Sequence, residues 1–178
     1  MRMQMMVAAA GLMVSGMAMG QAAAPAGPSG PAAEVQRSYA AQKDNILKTA
    51  ERMPEANYQY KPTPEVRTFA RVVNHITEAQ FRSCGIANHV AMADVAKPPS
   101  DTADKATIIA GLKASFVECD KAFAATTDAN FVEMYPVGKV SRSRAGLMWG
   151  TVSHDNEQYS TLAMYLRLKG LVPPSSEK

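Results

Sequence analysis

Three histidines occur in this 178-residue chain, His75, His89 and His154, and two of them fall in the middle of stretches with helical periodicity. In "WGTVSHDNEQYSTLAMYLRLKG", Trp149 to Gly170, His154 and Gln158 are four residues apart on the stripe that also carries Leu147, Thr151 and Tyr165. Side chains at i and i+4 share one face of a helix. His75 lies on the Val72–His75–Ala79 line of "RVVNHITEA", at the edge of an apolar face. Imidazoles from two facing helices can converge on one ion, because bundle interiors build metal sites from side chains of separate helices. Gln158 would then be a third donor, through a neutral amide oxygen. The plainer alternative is a hydrogen-bonded core histidine with Gln158 as its partner. His89 is expected in the last turn of its helix, where it complements the helix dipole.

The neighbours of His154 narrow the chemistry. A helix turns about 100° per residue, so Asp155 is rotated by that much from His154 and Glu157 stands nearly opposite. Neither is placed as a ligand. Both are expected at the surface or as interhelix partners, and at most would orient a ligand from behind. Ser153 points away from His154, and no Ser-His-Asp order, phosphate loop or nucleotide fingerprint occurs. Lys139, Arg142 and Arg144 in "GKVSRSR" stand just ahead of the last helix, whose N-terminus could attract an anion there, but the expectation is a solvated loop. Trp149, Tyr159, Tyr58 and Tyr60 are expected to serve packing.

Four segments must position these residues, and each repeats its apolar residues at three- and four-residue spacing. Helix one runs from about Ala33 to Met53, with Val35, Tyr39, Gln42, Ile46 and Ala50 on one side, and Pro54 cannot continue it. Helix two is capped by Thr68, carries Phe69, Val72, Val73, Ile76 and Ala79, and ends near His89. Helix three spans about Asp104 to Ala125 and buries Ile108, Ile109, Leu112, Phe116, Cys119 and Phe123. Helix four starts near Ser143 and stops at Gly170. The connection before it, "TTDANFVEMYPVGKVSRSR", is expected to lay Phe131, Met134, Tyr135 and Val137 against the bundle. No segment alternates with period two. The prediction is an all-α four-helix bundle.

The chain ends read differently. Residues 1–20, with a short positive start, an apolar run and "AMG", have the pattern of a secretory signal peptide. Residues 21–33, "QAAAPAGPSGPAA", form an Ala/Pro/Gly leader, and residues 34–176 make one domain. Seven of the 12 methionines lie in the first twenty residues, so the methionine richness belongs to targeting. Without Arg2 there are 18 basic against 16 acidic side chains, too even a balance for nucleic acid or an anionic membrane. Export predicts a periplasmic or secreted protein. Cys84 and Cys119 are then either a disulfide or two buried thiols.

"KPTPEVRTFARVVNHI", "SFVECDKAF", "SHDNEQYSTLAMYLRLKG" and "LVPPSS" together resemble the DinB/YfiT-like superfamily, over nearly all of Glu34 to Ser176. The resemblance implies helices in up-down-down-up order and a homodimer. It also implies a divalent metal held by three histidines, one on helix two and an H-x-x-x-H pair on helix four. His75 and His154 match the first two, and Gln158 stands in the place of the third. An amide oxygen is a weaker donor than imidazole to zinc or nickel. The implied function is a metal-dependent hydrolase or transferase acting on an unknown small molecule, with zinc, nickel or manganese. The alternative is a non-catalytic binding or stress-related bundle whose metal site has decayed.

Overall fold

A computed structural model describes residues 29–177, so the expected signal peptide and most of the leader lie outside the described residues. Four long helices follow in order: α1 (Pro31–Arg52), α2 (Phe69–Ala87), α3 (Lys105–Ala124) and α4 (Arg144–Leu168). Their starts are set by side-chain caps. Thr68, Asp104 and Ser143 each accept from the backbone N–H three residues on, at 3.1, 2.7 and 3.0 Å. α1 begins two residues before the expected Ala33. Its cap comes from afar, since Asp128 accepts from the Ala32 N–H at 2.8 Å. Gly30 stands at a φ of 113°, and a Cβ there would run into the Asp128 carboxylate. Glycine is required at that entry.

Cross-helix pairs fix the directions. Lys43 meets Asp120 and Glu51 meets Lys113, so α1 and α3 run antiparallel. Gln80 meets Ser115 and Cys84 meets Cys119, so α2 and α3 run parallel. Thr151 bonds to Ser83 and Asp155 to Gln80, making α2 and α4 antiparallel. The order is up-down-down-up, with α1 diagonal to α2 and α3 diagonal to α4. Between them Ile46, Phe69, Ile76, Leu112, Phe116, Leu162 and Tyr165 are almost wholly enclosed. Tyr58 and Tyr60 pack their rings on Phe69 and Tyr165, the packing role expected of them.

Cys84 and Cys119 are joined in a disulfide with Cα atoms 4.9 Å apart, so the bridge is the alternative realised. It lies in the core between α2 and α3.

One connection departs from the expected loop. It forms an antiparallel hairpin of β1 (Met134–Val137) and β2 (Val140–Ser143), paired from Met134↔Ser143 to Val137↔Val140. The turn is Gly138-Lys139, with glycine at the first position and a φ of 64°. Glycine there gives the twist a two-residue hairpin needs. Strands of four residues are too short to show alternation, and Met134 is exposed rather than packed. Arg144 is also not solvated. It is 4% exposed, and its guanidinium donates to Glu133 at 3.1 Å and to the Tyr135 hydroxyl. Tyr135 in turn donates to Glu133 at 2.6 Å. This triad clamps the hairpin to the start of α4.

Two outcomes follow. The disulfide spans 35 residues of sequence. Closing a loop of that size stabilises by about 3–4 kcal/mol. A Cys84→Ala/Cys119→Ala variant should therefore melt on the order of 10 °C lower in a calorimetric scan. The carboxyl of Glu133 is held below the usual range by the Tyr135 hydroxyl and then by Arg144. Stabilisation from a depressed carboxylate is present above its unfolded pKa and lost as pH falls through the folded one. Amide exchange across Met134–Ser143 should accelerate relative to the core as pH drops below about 4, the ordinary glutamate value. Glu133→Gln should abolish that transition.

Candidate functional site

α2 and α4 cross so that His75 and His154 face each other. Their Nε2 atoms are 3.2 Å apart and their rings are set nearly edge to face, with centroids 4.9 Å apart. Both imidazoles are half-buried. At this spacing the pair is either one N–H···N hydrogen bond or two lone pairs directed at a common point. Burial, then the nearby charge of Arg67, pulls the pKa of His75 below its ordinary value. His75 is thereby neutral at pH 7, the form that donates to a metal or accepts a proton. The Nδ1 atoms of both rings are buried without a partner.

Beside the pair lies Asp155, for which the sequence left two places open, the surface or a contact between helices, and the second is realised. Asp155 has no exposed area. It is an interhelix partner to α2, accepting at Oδ2 from the Gln80 amide at 2.9 Å. Gln80 Oε1 accepts from the Ser115 hydroxyl at 2.7 Å, which links α4, α2 and α3 in one buried chain. Burial pushes the Asp155 pKa up, and the His154 imidazole and the Gln80 amide oppose this without cancelling it. Its other oxygen, Oδ1, has no hydrogen-bond partner and stands 3.9 Å from His154 Nδ1. Two orphaned buried atoms facing each other match a carboxylate behind a ligating imidazole, where it orients the ring.

The donor spacing fits one ion. Two nitrogens at zinc-like distances of about 2.0–2.1 Å and separated as here would subtend roughly 100° at the metal, near the tetrahedral angle. Gln158 is buried at 6% exposure, one turn beyond His154. No hydrogen bond joins it to either imidazole, and it does not line the cavity described below. Among the described residues no group of three or more His, Cys, Asp or Glu forms a ready ligand set. His89 is remote from the pair. It stands past the end of α2 at a left-handed φ of 61°, exposed, with its ring 5.3 Å from Tyr135. It does not occupy the expected last turn, and Asn88 caps the helix instead.

The imidazoles open onto a cavity of about 660 Å³ between α2, α4 and the hairpin. Its wall from α2 includes His75, Ala79, Arg82 and Ile86, spaced by three and four residues. Val137, Val140 and Arg142 of the hairpin close the other side. Trp149 is 41% exposed and sits in a separate shallow groove against α1, so it is not a core residue. Tyr159 is buried, with its hydroxyl on Ser175.

Gln80 and Ser115 were not singled out in the sequence. Gln80 could have been found, because the stripe Val73–Thr77–Gln80–Cys84–Ala87 is buried at every position and Gln80 is its one large polar member.

A family model for the DinB superfamily matches residues 38–162. Among solved structures, a DinB-like protein from Bacillus cereus superposes with a TM-score of 0.63 at 14% identity, over 79% of this chain and 93% of that one. A DinB-like protein from Bacillus subtilis gives 0.63 at 13% identity, over 77% and 92%. At these identities the likeness is one of fold. Comparison with curated proteins finds no significant match.

Replacing Gln80 by Leu would leave Asp155 Oδ2 without its donor. Gln80→Leu should destabilise the fold by about 1–3 kcal/mol in urea unfolding, the range for an orphaned buried group. It should also release the ring of His154 from a fixed position, visible as broadened imidazole resonances.

Proposed function

The chain belongs to the DinB superfamily, and we propose that it binds a divalent cation (zinc, nickel or manganese) and acts as a metal-dependent hydrolase or transferase on a small molecule. His75 and His154 are the imidazole donors, with the amide oxygen of Gln158 as the third. The observation that carries this is the 3.2 Å separation of the two Nε2 atoms on the cavity wall. Such a cation supplies Lewis-acid polarisation of an oxygen on the bound molecule.

The chain's own residues do the rest. Depression of the His75 pKa keeps that ring unprotonated at neutral pH, so no proton competes for its lone pair. Asp155, anchored by Gln80, stands behind His154 and favours the tautomer with its proton on Nδ1. That leaves Nε2 of His154 as a donor. The walls from α2, α4 and the hairpin flank the imidazoles and would hold a ligand beside them. Export to an oxidising compartment is part of the proposal, and the Cys84–Cys119 disulfide supports it.

A second reading is favoured by one observation: the two imidazoles can satisfy each other as a hydrogen bond with no ion between them. The pair and the Asp155–Gln80–Ser115 chain would then be a polar core network in a non-catalytic binding protein.

Metal analysis of protein purified without a chelating tag from zinc-, nickel- and manganese-supplemented growth separates the two. The first reading expects one equivalent of metal, an affinity reduced more than about a hundredfold in His75→Ala, and a gain of roughly tenfold in Gln158→His. An empty site that also takes up no metal in calorimetric titration leaves the network reading standing.

A further inference from the structure

The cavity carries positive charge that the protein does not neutralise. Three arginines line it: Arg71, Arg82 and Arg142. Arg71 is answered by Glu78 at 3.3 Å and Asp101 at 3.7 Å. Arg82 and Arg142 form no ion pair among the described residues. The two carboxylates on the wall do not compensate them. Glu78 is committed to Arg71, and Asp155 is buried behind His154 with Gln80.

Both guanidinia stand in register with the imidazoles. Arg82 is seven residues after His75, two turns along the same face of α2. Arg142 reaches across from β2 to α4, where its Nη1 lies 3.6 Å from the place a Cβ would occupy on Gly150. Gly150 is one turn before His154. Any larger residue there would take up space beside that guanidinium. The remaining wall combines the apolar Ile86, Val137, Val140 and Leu147 with the polar Gln80, Ser83 and Thr151. The volume, about 660 Å³, is that of a small-molecule site. Unpaired cations along a concave wall focus their field into it. Guanidinium groups match planar or tetrahedral oxyanions by paired hydrogen bonds.

We infer that the cavity binds a small organic oxyanion, a carboxylate or phosphate on an apolar carbon frame. Arg82 and Arg142 hold the anionic group. The frame lies against Ile86, Val137, Val140 and Leu147 and brings the rest of the molecule to His75 and His154. This names the ligand class for the site proposed above and rests on that cavity being the ligand site. It does not depend on an ion held at the imidazoles.

The test uses the full-length chain in chelator-treated and zinc-loaded forms, with benzoate, phenyl phosphate and the neutral isostere benzamide as probes. Calorimetry should show benzoate or phenyl phosphate binding both forms at least about tenfold more tightly than benzamide. The tighter of the two anions identifies the oxyanion. Arg82→Gln and Arg142→Gln should each weaken the anion about tenfold or more at an unchanged melting temperature, with Arg142→Lys in between. Equal binding of benzamide, indifference to both Gln substitutions, or no binding of any probe at millimolar concentration would each overturn the inference. So would an anion that binds only the zinc-loaded form and ignores the arginines. Failure to take up zinc would defeat the metal proposal alone, because the chelator-treated arm reads the arginines directly.

Discussion

A carboxylate enclosed among helices must be given hydrogen bonds or it forces the interior open, and Asp155 sets that condition for the whole bundle. Its donor is Gln80, whose carbonyl end is engaged by Ser115. Three of the four helices are therefore held at one level by one chain of buried side chains. His75 stands five residues before Gln80, and His154 immediately precedes Asp155. The register that gives the buried acid its donor is the register that brings the imidazoles within 3.2 Å. Scaffold stability and site geometry share one set of contacts.

The second requirement is a gap in the packing. α2 and α4 are neighbours, and their facing side chains could have filled the space between them. Small residues on α4, Gly150 and Thr151, leave room there, while the β1–β2 hairpin stands over the opening. The hairpin is kept in place by the buried Arg144 guanidinium and its partners Glu133 and Tyr135. Burial and the bond to Glu133 raise the Tyr135 pKa to about 12, so the phenol remains a donor throughout the ordinary pH range.

Much of this was legible in the residues. The four helices, their caps at Thr68 and Ser143 and the stop at Gly170 follow from spacing and from residues with one conformational use. The His75–His154 meeting was legible because two imidazoles on separate apolar stripes have few places to go. The burial of Asp155 was left open between surface and interhelix contact because the stripe of α4 was centred on His154 and Gln158. The enclosed arc actually runs Met148, Thr151, Asp155, Gln158, Leu162, Leu166, and His154 sits at its margin. A charged residue inside an arc is invisible to hydrophobic periodicity unless its partner on another helix is known. The hairpin was missed for a related reason: four residues per strand give too little pattern, and Gly138 was its only local mark.

The Cys84–Cys119 bond lies one turn beyond Gln80 on α2 and one turn beyond Ser115 on α3. Covalent and polar ties thus fasten the same two parallel rods at adjacent levels, and they move as a single block. Any breathing that admits a molecule between α2 and α4 has to be carried by the opposite side, by α4 swinging or the hairpin lifting. The molecule has a fixed jaw and a movable one.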